Sequence, residues 1–290
     1  MTHLPNAMTG DDAPWKQRFR VQKVLWSMLA ESRPERGLAA TNRSGRYQLY
    51  AWDVTTGELR QLTDRPEGTL SGFIDALGRH VYYMDDERGD EIGHLVRVPF
   101  AGGEQEDVTP ELPPYSAFGG IVDATGKVLA FTRADENGFT LAAIDLGLDG
   151  EIGEPRTLLQ SDHIVLSPVL SPGGDLAVVA SGERSTMQHY TLLAVDAGSG
   201  ERVAELWDGD GTSIEVGPFA RHATTENGGA WLAATSNRSG FARPLVWCPR
   251  TGERRDLQVD DLDGDVTPLD WTLDDNRLLL RQTYRARHQL

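Results

Sequence analysis

The chain has 290 residues, with 28 basic and 44 acidic side chains and a formal charge of −16. Charge of that sign and size repels phosphate backbones and anionic lipid surfaces, so neither nucleic acid nor membrane is expected as a partner. One cysteine, Cys248, excludes an internal disulfide; the opening residues carry Asp11 and Asp12 without an apolar run, and no stretch reaches membrane-spanning length, so a cytoplasmic location is expected.

Residues 1–23 read as an N-terminal extension with a short leading helix around Trp15–Arg20. From Val24 onward one pattern repeats. Gly-Glu pairs at Glu58, Glu104, Glu151, Glu201 and Glu253 each follow a short apolar run, at intervals of 46, 47, 50 and 52 residues. A strand-rich unit of about 40 to 50 residues is the period of a β-propeller blade. The expected blades are 24–64, 70–111, 116–161, 163–209, 214–261 and 266–290, each four-stranded except the last.

In the first of these, Val24–Ala30 is the expected first strand, Pro34–Gly37 the turn and Leu38–Thr41 the second strand. The fourth is the clearest. Ile164–Leu170 leads into the turn Ser171-Pro172-Gly173-Gly174; Leu176–Ala180, Tyr190–Asp196 and Val203–Trp207 follow as strands. Two offsets support the repeat. Asn42-Arg43-Ser44-Gly45 and Asn237-Arg238-Ser239-Gly240 lie 195 residues apart, and the same offset superposes Trp52 on Trp247 without a gap. Arg287–Leu290 matches Arg46–Leu49 at 241 residues, so the sixth blade stops inside its third strand. An unfinished blade leaves a strand edge unpaired, which natural sheets avoid. The expectation is therefore a fragment of a six- to eight-bladed ring; the alternative is closure by a strand from the N-terminal segment.

Catalytic signatures are missing. No Gly-x-Ser-x-Gly, His-Glu-x-x-His or Cys-x-x-Cys occurs. Asp261, Asp263 and Asp265 resemble a calcium loop, but Gly264 is misplaced and Thr272 stands where the twelfth-position carboxylate belongs. No catalytic residue, metal ligand or cofactor is assigned. The most unusual polar cluster is Asp85-Asp86-Glu87-Arg88-Gly89-Asp90-Glu91, followed by His94, in the hairpin between the second and third strands of blade two. The Asn-Arg-Ser-Gly loops hold the same place in blades one and five, so one face would present Arg43 and Arg238 near the acidic cluster. Asp90, Glu91, His94, Arg43 and Arg238 are the candidate binding residues.

Ala40–Gly45 followed by Gln48–Asp53, and Ser171–Ala177, resemble the propeller repeats shared by TolB and the prolyl oligopeptidase family. Gly89-Asp90-Glu91 then His94-Leu95, with Gly102-Gly103-Glu104 and Asp107–Pro110 behind, is similar to the acylaminoacyl-peptidase and dipeptidyl-peptidase-like branch, as is the opening Trp15–Arg20. The resemblance implies a propeller that admits short peptides to an α/β-hydrolase domain bearing a Ser-Asp-His triad. Nothing in this chain corresponds to that hydrolase, so the triad maps onto no residue here. Dipeptidyl peptidases of the family hold a substrate's amino terminus with acidic propeller residues; Asp90 and Glu91 suit that role by chemistry alone. Two rivals remain: a TolB-like protein-binding propeller without enzymatic activity, and a lactonase-type propeller with a metal at its channel mouth.

Overall fold

The computed structural model describes residues 13–17, 20–147, 150–185, 189–224 and 229–290; Asp11, Asp12, Arg18 and Phe19 lie outside them. The leading helix is the single turn Pro14–Gln17. Six antiparallel sheets follow, each a meander in which every strand pairs with the next.

Blade one comprises Val24–Ala30, Arg33–Thr41, Gln48–Asp53 and Leu59–Gln61; blade two, Phe73–Ile74, His80–Asp86, Gly93–Pro99 and Glu106–Asp107. Blade three is Ser116–Val122, Val128–Asp135, Gly138–Asp145 and Arg156–Ser161, and blade four is Val165–Leu170, Leu176–Ser181, Thr191–Asp196 and Arg202–Leu206. Blade five is Ile214–Thr224, Ala230–Ser236, Arg243–Trp247 and Arg254–Asp256. The sixth has three strands, Asp265–Trp271, Leu278–Tyr284 and Arg287–Gln289. The architecture is a six-bladed propeller with its last blade incomplete.

The second and third strands are buried because each sheet is covered on both faces. All of Leu176–Ser181 is buried, as is Thr191–Val195. Apolar cores join blade one to two, two to three, three to four, four to five and five to six. Among the described residues no such core joins blade six to blade one. Val24, Leu25 and Leu29 of blade one stay exposed, as do Leu273 and Leu279 of blade six.

In blades two, three, four and six the turn between first and second strands is held by one polar side chain. Asp75 accepts hydrogen bonds from the backbone N–H of Arg79 and His80, and Asp123 accepts them from Lys127 and Val128. Ser171 serves Leu176 and Thr272 serves Arg277 in the same way. These turns also dock the blades. Arg36 donates to the carbonyl of Gly78 at 2.8 Å, and one repeat on Arg79 donates to that of Gly126 at 3.1 Å. Both glycines have positive φ, and a Cβ at either would press on the arriving arginine. Asp275 completes the series by accepting the N–H groups of Arg221 and His222 in blade five.

The first strands of blades four, five and six each carry a register irregularity, near Pro168, Pro218 and Pro268, fifty residues apart. Proline lacks the N–H that a regular ladder needs, so a bulge is where a strand tolerates it.

The first turn of blade one differs from the expectation. Glu31 and Ser32 make it, and Pro34–Gly37 belong to the second strand. The register jumps from Leu29↔Gly37 to Ala30↔Arg33, so the surplus residues bulge out at Pro34. Arg36 is committed to Gly78, and Gly37 must stay bare because Trp52 lies 2.8 Å from where its Cβ would be. Trp52 and Trp247 both stand in third strands, opposite Gly37 and Leu232. Cys248 is buried one residue past the third strand of blade five.

Asp123→Ala removes the acceptor of at least two part-buried turn N–H groups. Unsatisfied donors of this kind cost about 1–3 kcal/mol each, so the urea midpoint falls while the slope stays constant. An unchanged midpoint would show that the turn is held by its neighbours.

Candidate functional site

The acidic hairpin of blade two borders a cleft of about 640 Å3 lined by Arg65, Asp85, Asp86, Asp90, His94 and Asp107, among others. Its path is dictated locally. Arg88, Gly89 and Glu91 take positive φ, and a Cβ on Gly93 would lie 2.0 Å from the Asp85 carbonyl oxygen, so the hairpin closes only on glycine there. Asp86 accepts the N–H of Glu91 at 2.9 Å and Asp90 that of Ile92 at 3.1 Å. Ser116 of blade three donates to the Glu91 carbonyl at 2.8 Å, tying the loop to its neighbour.

One cation balances part of this charge. Arg65, in the connector from blade one, lies 2.6 Å from Asp85 and also donates to the Asp86 carbonyl. The other Asp85 oxygen accepts from Gln105 at 2.6 Å, and Gln105 accepts from the Tyr83 hydroxyl at 2.6 Å. Burial, then the Asp85 charge, pushes the Tyr83 phenol up to about 12, so it serves as a donor. On the opposite wall His94 Nδ1 lies 2.8 Å from Asp107. Among the described residues Asp107 is that imidazole's only ion-pair partner, and no hydroxyl or thiol is hydrogen-bonded to it. What the cleft does offer is several hydrogen-bond-accepting carboxylates around a gap wide enough for a cationic group.

The five candidate residues do not converge. Asp90 and His94 line the cleft, and Glu91 contributes its backbone to the loop. Arg43 is exposed at the tip of the blade-one hairpin and forms no ion pair among the described residues. Arg238 is turned away from the acidic cluster: it pairs with Asp256 at 2.7 Å and lies 3.7 Å from Asp208. The neighbouring asparagines explain the shared motif. Asn42 accepts the N–H of Lys23 and Asn237 that of Ser213, each fixing the approach to its blade's first strand. Arg65 and Gln105 were not singled out from the sequence, because a lone residue in a connector and one after a turn carry no periodic signal.

A second depression lies where Glu31, Asp123, Pro172, Phe219 and Asp270 of different blades meet around Arg221. Arg221 reaches Glu31 at 2.8 Å and Asp270 at 3.3 Å, so one side chain bridges blades one, five and six. Among the described residues no group of three His, Cys, Asp or Glu side chains is placed to hold a metal ion, the Asp261–Asp265 connector included. Among the described residues no helix is long and apolar enough to cross a membrane.

Asp208 is the buried hub of the Arg238 network. It pairs with Arg254 at 2.5 Å and accepts from Ser236. Burial alone would raise its carboxyl, but the bonds from Arg254 and Ser236, then the charges of Arg254 and Arg238, hold it below 3.8. Stability from a depressed carboxylate is present in full above the unfolded-state value and is lost as pH falls through the folded one. Asp208→Asn should thus cost about 1.5–3 kcal/mol at neutral pH, with the deficit closing as the solution is acidified below 3.8. Thermal melts of both proteins across pH test this; a deficit independent of pH would contradict it.

No protein-family model matches the sequence, and no curated protein matches it. Solved structures do. Prolyl oligopeptidase B from Galerina marginata superposes with a TM-score of 0.64 at 12% identity, over 90% of this chain and 38% of that one. An oligogalacturonate lyase from Vibrio parahaemolyticus gives 0.59 at 13% identity, over 90% and 72%. A putative TolB from Agrobacterium tumefaciens gives 0.53 at 14%, over 82% and 80%. Likeness at such low identity shows the fold alone: a β-propeller, shaped like those of these proteins. The chain spans well under half the length of the oligopeptidase it resembles.

Proposed function

We propose that this propeller selects peptides for a serine peptidase of the prolyl-oligopeptidase type, in the cytoplasm, with the α/β-hydrolase chemistry carried by a separate domain. The observation that carries the reading is the pattern of coverage. The propeller accounts for 90–93% of this chain yet only 38–44% of the superposed peptidases, which include a puromycin-hydrolysing enzyme of Mycobacterium tuberculosis. The acidic cleft supports a peptide-facing role, since Asp90 and its neighbours can accept hydrogen bonds from an ammonium or guanidinium group.

The rival reading, a TolB-like protein-binding propeller, is favoured by the 80% of the putative TolB that the chain spans. Coding sequence downstream of Leu290 separates the two: a Gly-x-Ser-x-Gly followed by Asp and His supports the peptidase, and its absence there and in any adjacent gene favours TolB.

The described chain is expected to hydrolyse no aminoacyl or acylated-aminoacyl substrate and to take no label from a fluorophosphonate probe. Labelling of one serine, abolished by unfolding, would overturn the assignment of catalysis to another domain. Peptides with a free amino terminus should bind, and Asp90→Asn should weaken them roughly tenfold, as loss of a charge-assisted hydrogen bond of about 1.5 kcal/mol requires. Equal affinity for N-acetylated peptides would remove the cleft from the account.

A further inference from the structure

The acidic cleft continues past its own wall. Ile92 and Pro114 border it and also border a second depression, of about 520 Å3, that reaches the hairpin between the second and third strands of blade three. The two differ in character. Carboxylates ring the first, whereas Ile92, Pro113, Pro114, Tyr115 and Ala134 give the second apolar walls. Ile92 is 51% exposed, and both prolines are exposed beside it. Apolar side chains scattered singly over a surface are ordinary; three gathered at the lip of a cleft are not scattered.

This shelf is built rigidly. Gly93 and Tyr115 exchange backbone hydrogen bonds at 3.0 and 2.9 Å, and Ser116 donates to the Glu91 carbonyl, so both neighbours of Ile92 are tied to the start of blade three. The N–H of Ile92 itself goes to Asp90 at 3.1 Å. The backbone cannot withdraw Ile92 from water without breaking these bonds. Opposite it, Pro113 and Pro114 add two stiff surfaces that carry no N–H. The Tyr115 hydroxyl is already committed, accepting from the Leu95 N–H at 2.9 Å and sharing a hydrogen bond with Thr109 at 2.8 Å. The shelf thus offers contact to an apolar group. Its far rim turns acidic again, with Asp135 and Glu136.

Building on the peptide-selecting reading, on which it rests, we propose that the shelf receives an apolar side chain from the first two residues of a peptide whose amino terminus lies in the acidic cleft. The shared wall sets shelf and amine a residue or two apart, each extended residue advancing roughly 3.3 Å. The substrate class is then a peptide with a free amino terminus and an apolar residue at or next to it. An acidic residue there is selected against, because Glu136 and Asp135 face it and juxtaposed like charges are unfavourable.

The test uses the full chain and hexapeptides labelled with fluorescein at the carboxyl end, beginning Ser-Ser, Leu-Ser, Ser-Leu and Ser-Glu. Each is made with a free and with an acetylated amino terminus. In anisotropy the tighter of the two leucine peptides should bind at least fivefold better than Ser-Ser, and Ser-Glu should bind worse, all requiring the free amine. Ile92→Ser, at a position already half in water, should bring the leucine and serine peptides within twofold while the preference for a free amine persists. Phe241→Ser removes an equally exposed side chain from a blade-five hairpin and should change neither preference. Equal affinity for leucine and serine peptides, with the free amine still preferred, would overturn the shelf and leave the cleft standing. A leucine preference that survives Ile92→Ser, or is lost as fully in Phe241→Ser, would do the same. If acetylation makes no difference, the peptide-selecting reading fails and the shelf falls with it.

Discussion

Everything in this molecule depends on burial between sheets. A four-stranded blade with Leu176–Ser181 and Thr191–Val195 at its centre is apolar on both faces and cannot cover either by itself. It becomes stable when a neighbour is laid on each side, at roughly 25 cal/mol per Å2 of apolar surface removed from water. The chain satisfies this five times in succession. The remaining faces, on blades one and six, keep apolar side chains such as Leu25, Leu29 and Leu279 exposed. Arg221 is the polar link across that opening, through Glu31.

Because the cores fix the middle of each blade, the loops are free to differ, and chemistry resides in them. Turns between first and second strands are used for docking and are therefore constrained: an Asp, Ser or Thr holds those of blades two, three, four and six, and an arginine from the blade before reaches those of blades two and three. The hairpins between second and third strands bear less of that load. Two are held by an asparagine, and the one in blade two carries the acidic cleft. Its carboxylates are partly absorbed by Arg65 and by backbone N–H groups, which is why the loop keeps one shape despite its charge.

The fold was legible because repetition amplifies weak signals. A single Gly-Glu turn says little, but equivalent turns about fifty residues apart, and two tryptophans in register at 195, define strand rank. The reading failed at Pro34–Gly37, where a local turn signature was overridden by the demands of Arg36 on blade two and of Trp52 on Gly37. At the candidate site, sequence located the acidic hairpin but not its cation, since Arg65 reaches it from another blade. It also joined Arg238 to that cluster through a shared motif. The motif is architectural: Asn237 organises the strand, while Arg238 is claimed by Asp208 and Asp256.

The central claim is that stability is passed from blade to blade in an open series running from one to six. Native-state hydrogen exchange, read strand by strand, tests it most directly. The account predicts the slowest exchange in the second and third strands of blades two to five, which are covered on both faces. Val24–Ala30 and Leu278–Tyr284, the strands flanking the opening, should exchange much faster. Uniform protection across all six blades, with those two strands as slow as Leu176–Ser181, would show that the ring is closed by contacts of equal strength and would contradict the account.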